Sequence, residues 1–162
     1  MLPSHLGRPV CGDESGGVTS LLALDPGGTT GWSLWRFTEA MPIEHVAHGQ
    51  VSGGVDGFVQ WWHRQDEQDI DEVVSESFVL DGRTASPDIT PLRIEGALAV
   101  LWPGVIYQRN VYKGHVPDAK IKELGLWWAG EPHAVDSMRH ALALMKVRRH
   151  LPTLMWAWPP RG

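Results

Sequence analysis

Apolar and polar positions along the chain follow two different periods, and the switches between them mark the elements. Val18-Thr19-Ser20-Leu21-Leu22-Ala23-Leu24 is short, apolar and uncharged, and it stops at Asp25-Pro26-Gly27-Gly28. This predicts a strand buried on both faces and closed by a turn, with Asp25 at its C-terminal end. Trp32 to Phe37 alternates loosely, and His45 to Val51 follows beyond Met41-Pro42, so a second and a third strand complete a meander. After Gly53-Gly54, Val55, Phe58, Val59 and Trp62 recur at helical spacing, predicting a helix from Val55 to Gln68 with acidic Asp66-Glu67 near its end. Glu72-Val73-Val74-Ser75-Glu76 reads as a fourth strand ending at Glu76, with a turn at Asp81-Gly82-Arg83. Thr90-Pro91 opens a helix through Leu92, Ile94, Leu98 and Leu101, stopped by Pro103-Gly104, and Val105-Ile106-Tyr107 is a fifth strand. A short helix from Pro117 to Leu124 and a long one from Ala134 to Arg149, set between Pro132 and Pro152, complete the reading.

A meander that feeds alternating helices and strands predicts an α/β fold, a mixed five-stranded sheet with helices on both faces. Residues 1–18 mix Pro, Gly and Ser without apolar periodicity and read as a flexible leader, ahead of a single domain over residues 19–158. A chain of 162 residues and 18.0 kDa suits one core.

Composition narrows the class. At 43% hydrophobic and 20% charged residues, the chain is too apolar for a disordered protein. It has no apolar run of bilayer length and no basic segment followed by a signal-like apolar stretch, so a cytoplasmic location is expected. The single cysteine, Cys11, excludes an internal disulfide and a Cys-based zinc site, which agrees with a reducing compartment. A net charge of −5 and a pI near 5.9 argue against a protein that coats DNA nonspecifically. The charge is uneven, however: residues 1–90 carry 4 Lys/Arg against 14 Asp/Glu, and residues 91–162 carry 10 against 5. Either the C-terminal half faces phosphates, or the two halves neutralise each other in the fold.

Three motifs then point to one family. Leu24-Asp25-Pro26-Gly27-Gly28-Thr29-Thr30-Gly31-Trp32 resembles the first-strand motif of the RuvC-type Holliday junction resolvases, especially their phage-encoded branch. Ser75-Glu76-Ser77-Phe78 resembles the family's acid at the end of the fourth strand. His133-Ala134-Val135-Asp136, followed by Ala141-Leu142-Ala143-Leu144, resembles its late helix, where an acid or histidine precedes an Asp by three residues. The match runs from about Leu21 to Met145, and the order of the motifs is more specific than any one of them. The resemblance implies a ribonuclease H-like fold and an endonuclease of DNA recombination and repair. Such an enzyme is expected to act on branched DNA (four-way junctions, flaps or forks), in the host bacterial cytoplasm if phage-encoded, and two symmetric incisions across a junction are most simply made by a homodimer. It also implies that Asp25 bridges two Mg²⁺ or Mn²⁺ ions, while Glu76, His133 and Asp136 bind one or the other.

The chemistry supports the same set independently. In-line hydrolysis of a phosphodiester needs an activated water and a stabilised leaving oxygen, which two divalent cations about 4 Å apart supply when hard carboxylates hold them. If the first and fourth strands are neighbours, Asp25 and Glu76 end on one sheet edge, and His133 and Asp136, three apart at a helix start, share a face. His133 stands where many members carry an aspartate; it is either a ligand, favouring Mn²⁺, or a general base. His140 lies on the same helical stripe and is within possible reach. Each residue also has a plainer role: Asp25 as a turn residue, Glu76 as a solvated strand end, His133 as a surface histidine, Asp136 as a partner of the helix start and of Arg139 or His140.

The basic stretch of Arg109, Lys113, His115, Lys120 and Lys122 lies where RuvC-like proteins carry DNA-contacting lysines, so the resemblance implies Lys113 and Lys120 as DNA contacts, unless this is simply a solvated loop. Phe78, just beyond Glu76, resembles the aromatic wedge that family members insert at a junction, unless it is a core residue. Nine tryptophans are many for this length, and the pairs Trp61-Trp62 and Trp127-Trp128 suggest a dimer interface first and base stacking second. Two rival functions remain: an actin-like or sugar-kinase ATP site, which requires a second lobe, and a catalytically inactive DNA-binding module of the same fold.

Overall fold

The computed structural model describes residues 16–65, 69–80, 82–83 and 87–162. Cys11 with most of the expected leader, Asp66-Glu67 and Asp81 of the expected turn lie outside the described residues. Five strands, β1 (Thr19–Asp25), β2 (Thr29–Phe37), β3 (Glu44–Ser52), β4 (Glu72–Ser77) and β5 (Ile106–Arg109), form one sheet in the order β3-β2-β1-β4-β5. The meander β1-β2-β3 is antiparallel, whereas β4 and β5 run parallel to β1. This is the mixed sheet expected from the order of elements.

The uninterrupted apolar run of β1 follows from its central place. Leu21 and Ala23 face one side with Trp35 and Val74, while Leu22 and Leu24 face the other with Leu34 and Val73. A central strand covered on both sides has no solvent face to make polar, so its pattern does not alternate. The first side is covered by α4 (Pro132–Val147), whose Val135, Met138, Ala141, Leu142 and Met145 are buried against β1, β2 and β4. The second side is covered by α1 (Gly54–His63) and α2 (Thr90–Leu101) through Phe58, Ile94 and Leu98. α3 (Asp118–Glu123) packs on the α4 side through Ile121.

Three details depart from the sequence expectation. A 3₁₀ turn over Asn110–His115 links β5 to α3. The first helix ends at His63, before Gln68. Most visibly, Pro152 does not end the helical region: it sits in the first turn of a further helix, α5 (Leu151–Ala157), where a missing N–H costs nothing. This helix is pinned to the β2–β3 connection, because Ile43 N–H donates to Thr153 Oγ1 (2.9 Å) and His150 Nε2 lies 2.8 Å from the Thr38 carbonyl.

The tryptophan pairs are largely satisfied within the chain. Trp61 leans on Trp32 (ring centroids 5.4 Å apart) and Trp62 on Trp102 (6.2 Å), bridging α1 to β2 and to the end of α2. Trp128 stacks flat on His48 at 3.7 Å, and Lys122 lies over the ring of Trp127 at 4.5 Å. These partners come from elements other than the one that carries each tryptophan pair. Among the described residues, no helix is long and apolar enough to cross a membrane.

Candidate active site

Parallel pairing of β1 with β4 matches Leu24 to Ser75, so the next residue of each strand, Asp25 and Glu76, emerges at the same sheet end. Glu76 pairs in turn with Gln108 on β5. Residues in register across neighbouring strands point to one face, and here that face is the one covered by α4. α4 supplies His133 and Asp136 from its first turns and His140 one turn further in.

Three tethers fix the start of α4 over the sheet. The side-chain oxygen of Gln50 on β3 accepts from His133 N–H (2.9 Å) and Ala134 N–H (3.4 Å), satisfying donors that a helix start leaves unpaired. Glu131, just before the helix, pairs with His48 Nε2 at 2.8 Å. Gly31 on β2 lets the His133–Ala134 backbone approach where no side chain fits.

The carboxylates converge on a cation of the chain itself. Lys113 Nζ, from the 3₁₀ turn, lies 2.6 Å from Glu76 Oε2, 3.0 Å from Asp136 Oδ2 and 3.1 Å from Asp25 Oδ1. His133 Nδ1 is 3.2 Å from the other Asp25 oxygen, and its side chain is 46% exposed, on the open rim of the cluster. Asp136 Oδ1 accepts from Arg139 Nε at 3.1 Å. Arg139 also donates to Asp118 and to the Val116 carbonyl, which fastens α4 to α3.

His140 is fully buried, with Nε2 3.1 Å from Glu76 Oε2 and Nδ1 2.9 Å from the Gln108 amide. With its NH₂ turned toward the helix, that amide donates to Nδ1 and to the His140 carbonyl, and its oxygen accepts from Leu144 N–H at 3.2 Å. Nδ1 is then an acceptor, so Nε2 carries the proton and donates to Glu76.

Burial raises the Asp25 carboxyl to about 6, with a further push from Glu76, against the lowering pull of Lys113. Burial also pushes Glu76 upward, but hydrogen bonds from His140 and Lys113 outweigh it and hold that carboxyl at about 2. The two carboxyls therefore divide into one that keeps its charge and one poised to take a proton. Burial alone would lower Lys113, yet the carboxylates of Asp25, Glu76 and Asp136 hold its ammonium well above the usual lysine range.

The donor set suits a hard divalent cation. Three carboxylates from β1, β4 and α4 already share one positive charge, and the His140 ring lies within 4.8 Å of the Asp25 and Glu76 oxygens, behind them. The four acidic and histidine positions expected from sequence thus come together, but the buried histidine of the cluster is His140, while His133 stands at its edge. Gln50 and Gln108 carried no expectation, and Gly31 entered only as a glycine of the first-strand motif. Gln108 alone left a trace, as a polar residue continuing the apolar run of β5.

The remaining candidates fall differently. Lys113 is inside the cluster rather than on an open basic loop. Lys120 is on α3, paired with Glu123 at 2.8 Å. Arg148 pairs with Glu72 at 2.6 Å, so part of the C-terminal basic charge is neutralised by carboxylates. Phe78 is half-buried one residue beyond β4, belongs to neither apolar cluster, and precedes the exposed Val79 and Leu80.

No protein-family model matches the chain, and no curated protein matches it by sequence. Solved structures do match. T. thermophilus RuvC in complex with Holliday junction substrate has a TM-score of 0.61 at 15% identity, over 83% of this chain and 97% of that one. The Thermus thermophilus RuvC structure gives 0.59 at 16% identity, over 81% and 96%. Fowlpox virus resolvase with its substrate Holliday junction DNA gives 0.55 at 11% identity, over 78% and 99%. The chain has the ribonuclease H-like fold of these resolvases, the fold its motifs resemble. Among the described residues there is one sheet, and the second lobe that a sugar-kinase-type site requires is not among them.

Proposed function

We propose that this protein is a metal-dependent endonuclease that cuts Holliday junctions and related branched DNA, with Asp25, Glu76, Asp136 and His133 at its active site. The observation that carries this reading is the convergence of three carboxylates from β1, β4 and α4 on one cation position, open to solvent at His133. Its support is the shared fold of proteins seen with Holliday junction DNA. Mg²⁺ or Mn²⁺, two ions per site, would supply the Lewis acidity that lowers the pKa of an attacking water and stabilises the departing oxygen. Asp25, buried at the end of β1, is the inner anchor, and Glu76 is held in one orientation by His140. Asp136 closes the cluster from the helix side. His133, exposed and in contact with Asp25, faces the approaching DNA and is the group placed to take the proton of the attacking water.

Phe78, beyond the end of β4 and outside both apolar clusters, would enter the junction centre, and a two-fold dimer would make symmetric cuts. Apolar area for a dimer is better sought on α2, where Leu92 and Val100 are exposed, than at the tryptophans. Asp25→Asn, Glu76→Gln and Asp136→Asn should each abolish cleavage of a four-way junction in Mg²⁺ and Mn²⁺ while leaving the circular dichroism spectrum unchanged. Full cutting by any of them removes that residue from the site.

A second reading has one observation in its favour: a lysine ammonium at the centre of the cluster is what a junction-binding protein without catalysis would carry. Tight junction binding by wild-type protein with no incision in either metal would support it over the nuclease.

A further inference from the structure

We infer that Lys113 is an exchangeable occupant of the cation site, holding the carboxylate cluster together until divalent ions enter and then turning its ammonium outward to the DNA phosphate. This inference rests on the proposed nuclease reading. The three oxygens that Nζ contacts, Asp25 Oδ1, Glu76 Oε2 and Asp136 Oδ2, are the ones a hard cation would need, and all lie within 3.1 Å. A Mg²⁺ ion takes oxygen ligands at about 2.1 Å, so an ion at the centre of these oxygens would stand where Nζ stands. An ammonium and a divalent ion cannot share that point. Two like charges so close, in a partly buried site that water screens poorly, repel strongly.

The form of the side chain suits the exchange. An ammonium has three donors for three carboxylates, and its flexible four-carbon stem can leave without moving the backbone. The stem rises from a short 3₁₀ turn between exposed Val111 and exposed Gly114, at the rim rather than in the core. His133, on the same open side, marks where DNA would approach. Without metal, Lys113 offsets the mutual repulsion of three carboxylates and lets the sheet end close. With metal, the same charge becomes available to a phosphate oxygen. Cation loading would thus build the DNA surface twice, by neutralising the carboxylates and by releasing a positive charge.

The test uses the full chain. A brief pulse of acetic anhydride followed by peptide mass spectrometry reads the accessibility of each lysine amine. Lys113 should label slowly in EDTA and about tenfold faster with saturating Mn²⁺, while Lys120, paired with Glu123 on α3, should not change. Unchanged or reduced labelling of Lys113 on adding Mn²⁺ overturns the inference. In calorimetry with Mn²⁺ alone, Lys113→Met should bind about tenfold tighter than wild type, and Lys113→Arg should not. Equal or weaker binding by Lys113→Met also overturns it. Should the methionine variant fail to fold without metal, the labelling of wild type decides by itself. A wild-type protein that binds no Mn²⁺ brings down the nuclease reading, whereas Mn²⁺ binding with Lys113 still protected brings down this inference alone.

Discussion

The backbone of His133 passes so close to Gly31 that a Cβ at Gly31 would lie 1.9 Å from the His133 carbonyl oxygen. It would also lie 2.5 Å from Ala134 N, so backbone rather than a movable side chain fills the space on that side. Gly31 is the strand partner of Asp25, which makes this contact the depth stop for α4 against the sheet end bearing the carboxylates.

Gly31→Ala should therefore act on both stability and site geometry. Pushing the start of α4 outward strains a packed contact, a change that costs about 1–3 kcal/mol. It also moves His133 and Asp136 away from Asp25. We expect a Tm lowered by several degrees in thermal melts, together with loss of junction cleavage that excess Mn²⁺ does not restore. A variant that is destabilised yet cuts normally would separate the helix position from the chemistry.

The glycine's role shows which parts of the site the sequence carries. Asp25 and Glu76 were legible because each follows an apolar run that only a buried strand explains, and parallel neighbours bring such ends together. His133 and Asp136 were legible through the resemblance of His133-Ala134-Val135-Asp136 to the family's late helix, and their three-residue spacing puts them on one face. The role of Gly31 in docking α4 was not legible, because it depends on a backbone more than 100 residues away. Lys113 read as part of a basic loop, since a string of Arg, Lys and His says nothing about carboxylates on three other elements. α5 was lost because proline reads as a stop when it follows a helix, although in a first turn it is a start.

Asp25 gives a pH dependence with a definite sign. Its folded-state carboxyl is raised from 3.8 to about 6. The folded protein thus takes up this proton at higher pH than the unfolded chain, and the metal-free fold gains stability as pH falls through 6 toward 4. Above pH 6 the buried charge is a cost, on the order of 1–3 kcal/mol. Asp25→Asn removes it and should raise the metal-free Tm at pH 8, with a gain that shrinks toward pH 5, where wild-type Asp25 is itself neutral. Thermal melts in EDTA across that range measure the difference. A gain independent of pH would mean that packing, not charge, is responsible, and a loss at pH 8 would mean that the pairs with Lys113 and His133 outweigh burial.

His140 is the positioning residue of the cluster, because its contact with the site runs through Glu76. Its Nε2 donates to Glu76 Oε2 while Gln108 holds Nδ1. A buried donor that fixes a ligating carboxylate is worth about 10–100-fold in metal affinity or activity. His140→Phe keeps an aromatic ring in the core but removes the donor, so Glu76 should lose its fixed orientation and its depressed pKa. Mn²⁺ affinity by calorimetry should fall by about that factor. The low-pH limb of cleavage should move upward as Glu76 becomes easier to protonate. Gln108→Leu should change both in the same direction by less, since it disturbs the tautomer of His140 and leaves the ring in place. The decisive comparison is His140→Gln, whose amide N–H can reach Glu76 but is a poor metal ligand. Recovery of affinity by His140→Gln identifies a donor that positions Glu76. Affinity as low as in His140→Phe would instead make the imidazole a ligand in its own right, and unchanged affinity in His140→Phe would remove His140 from the site.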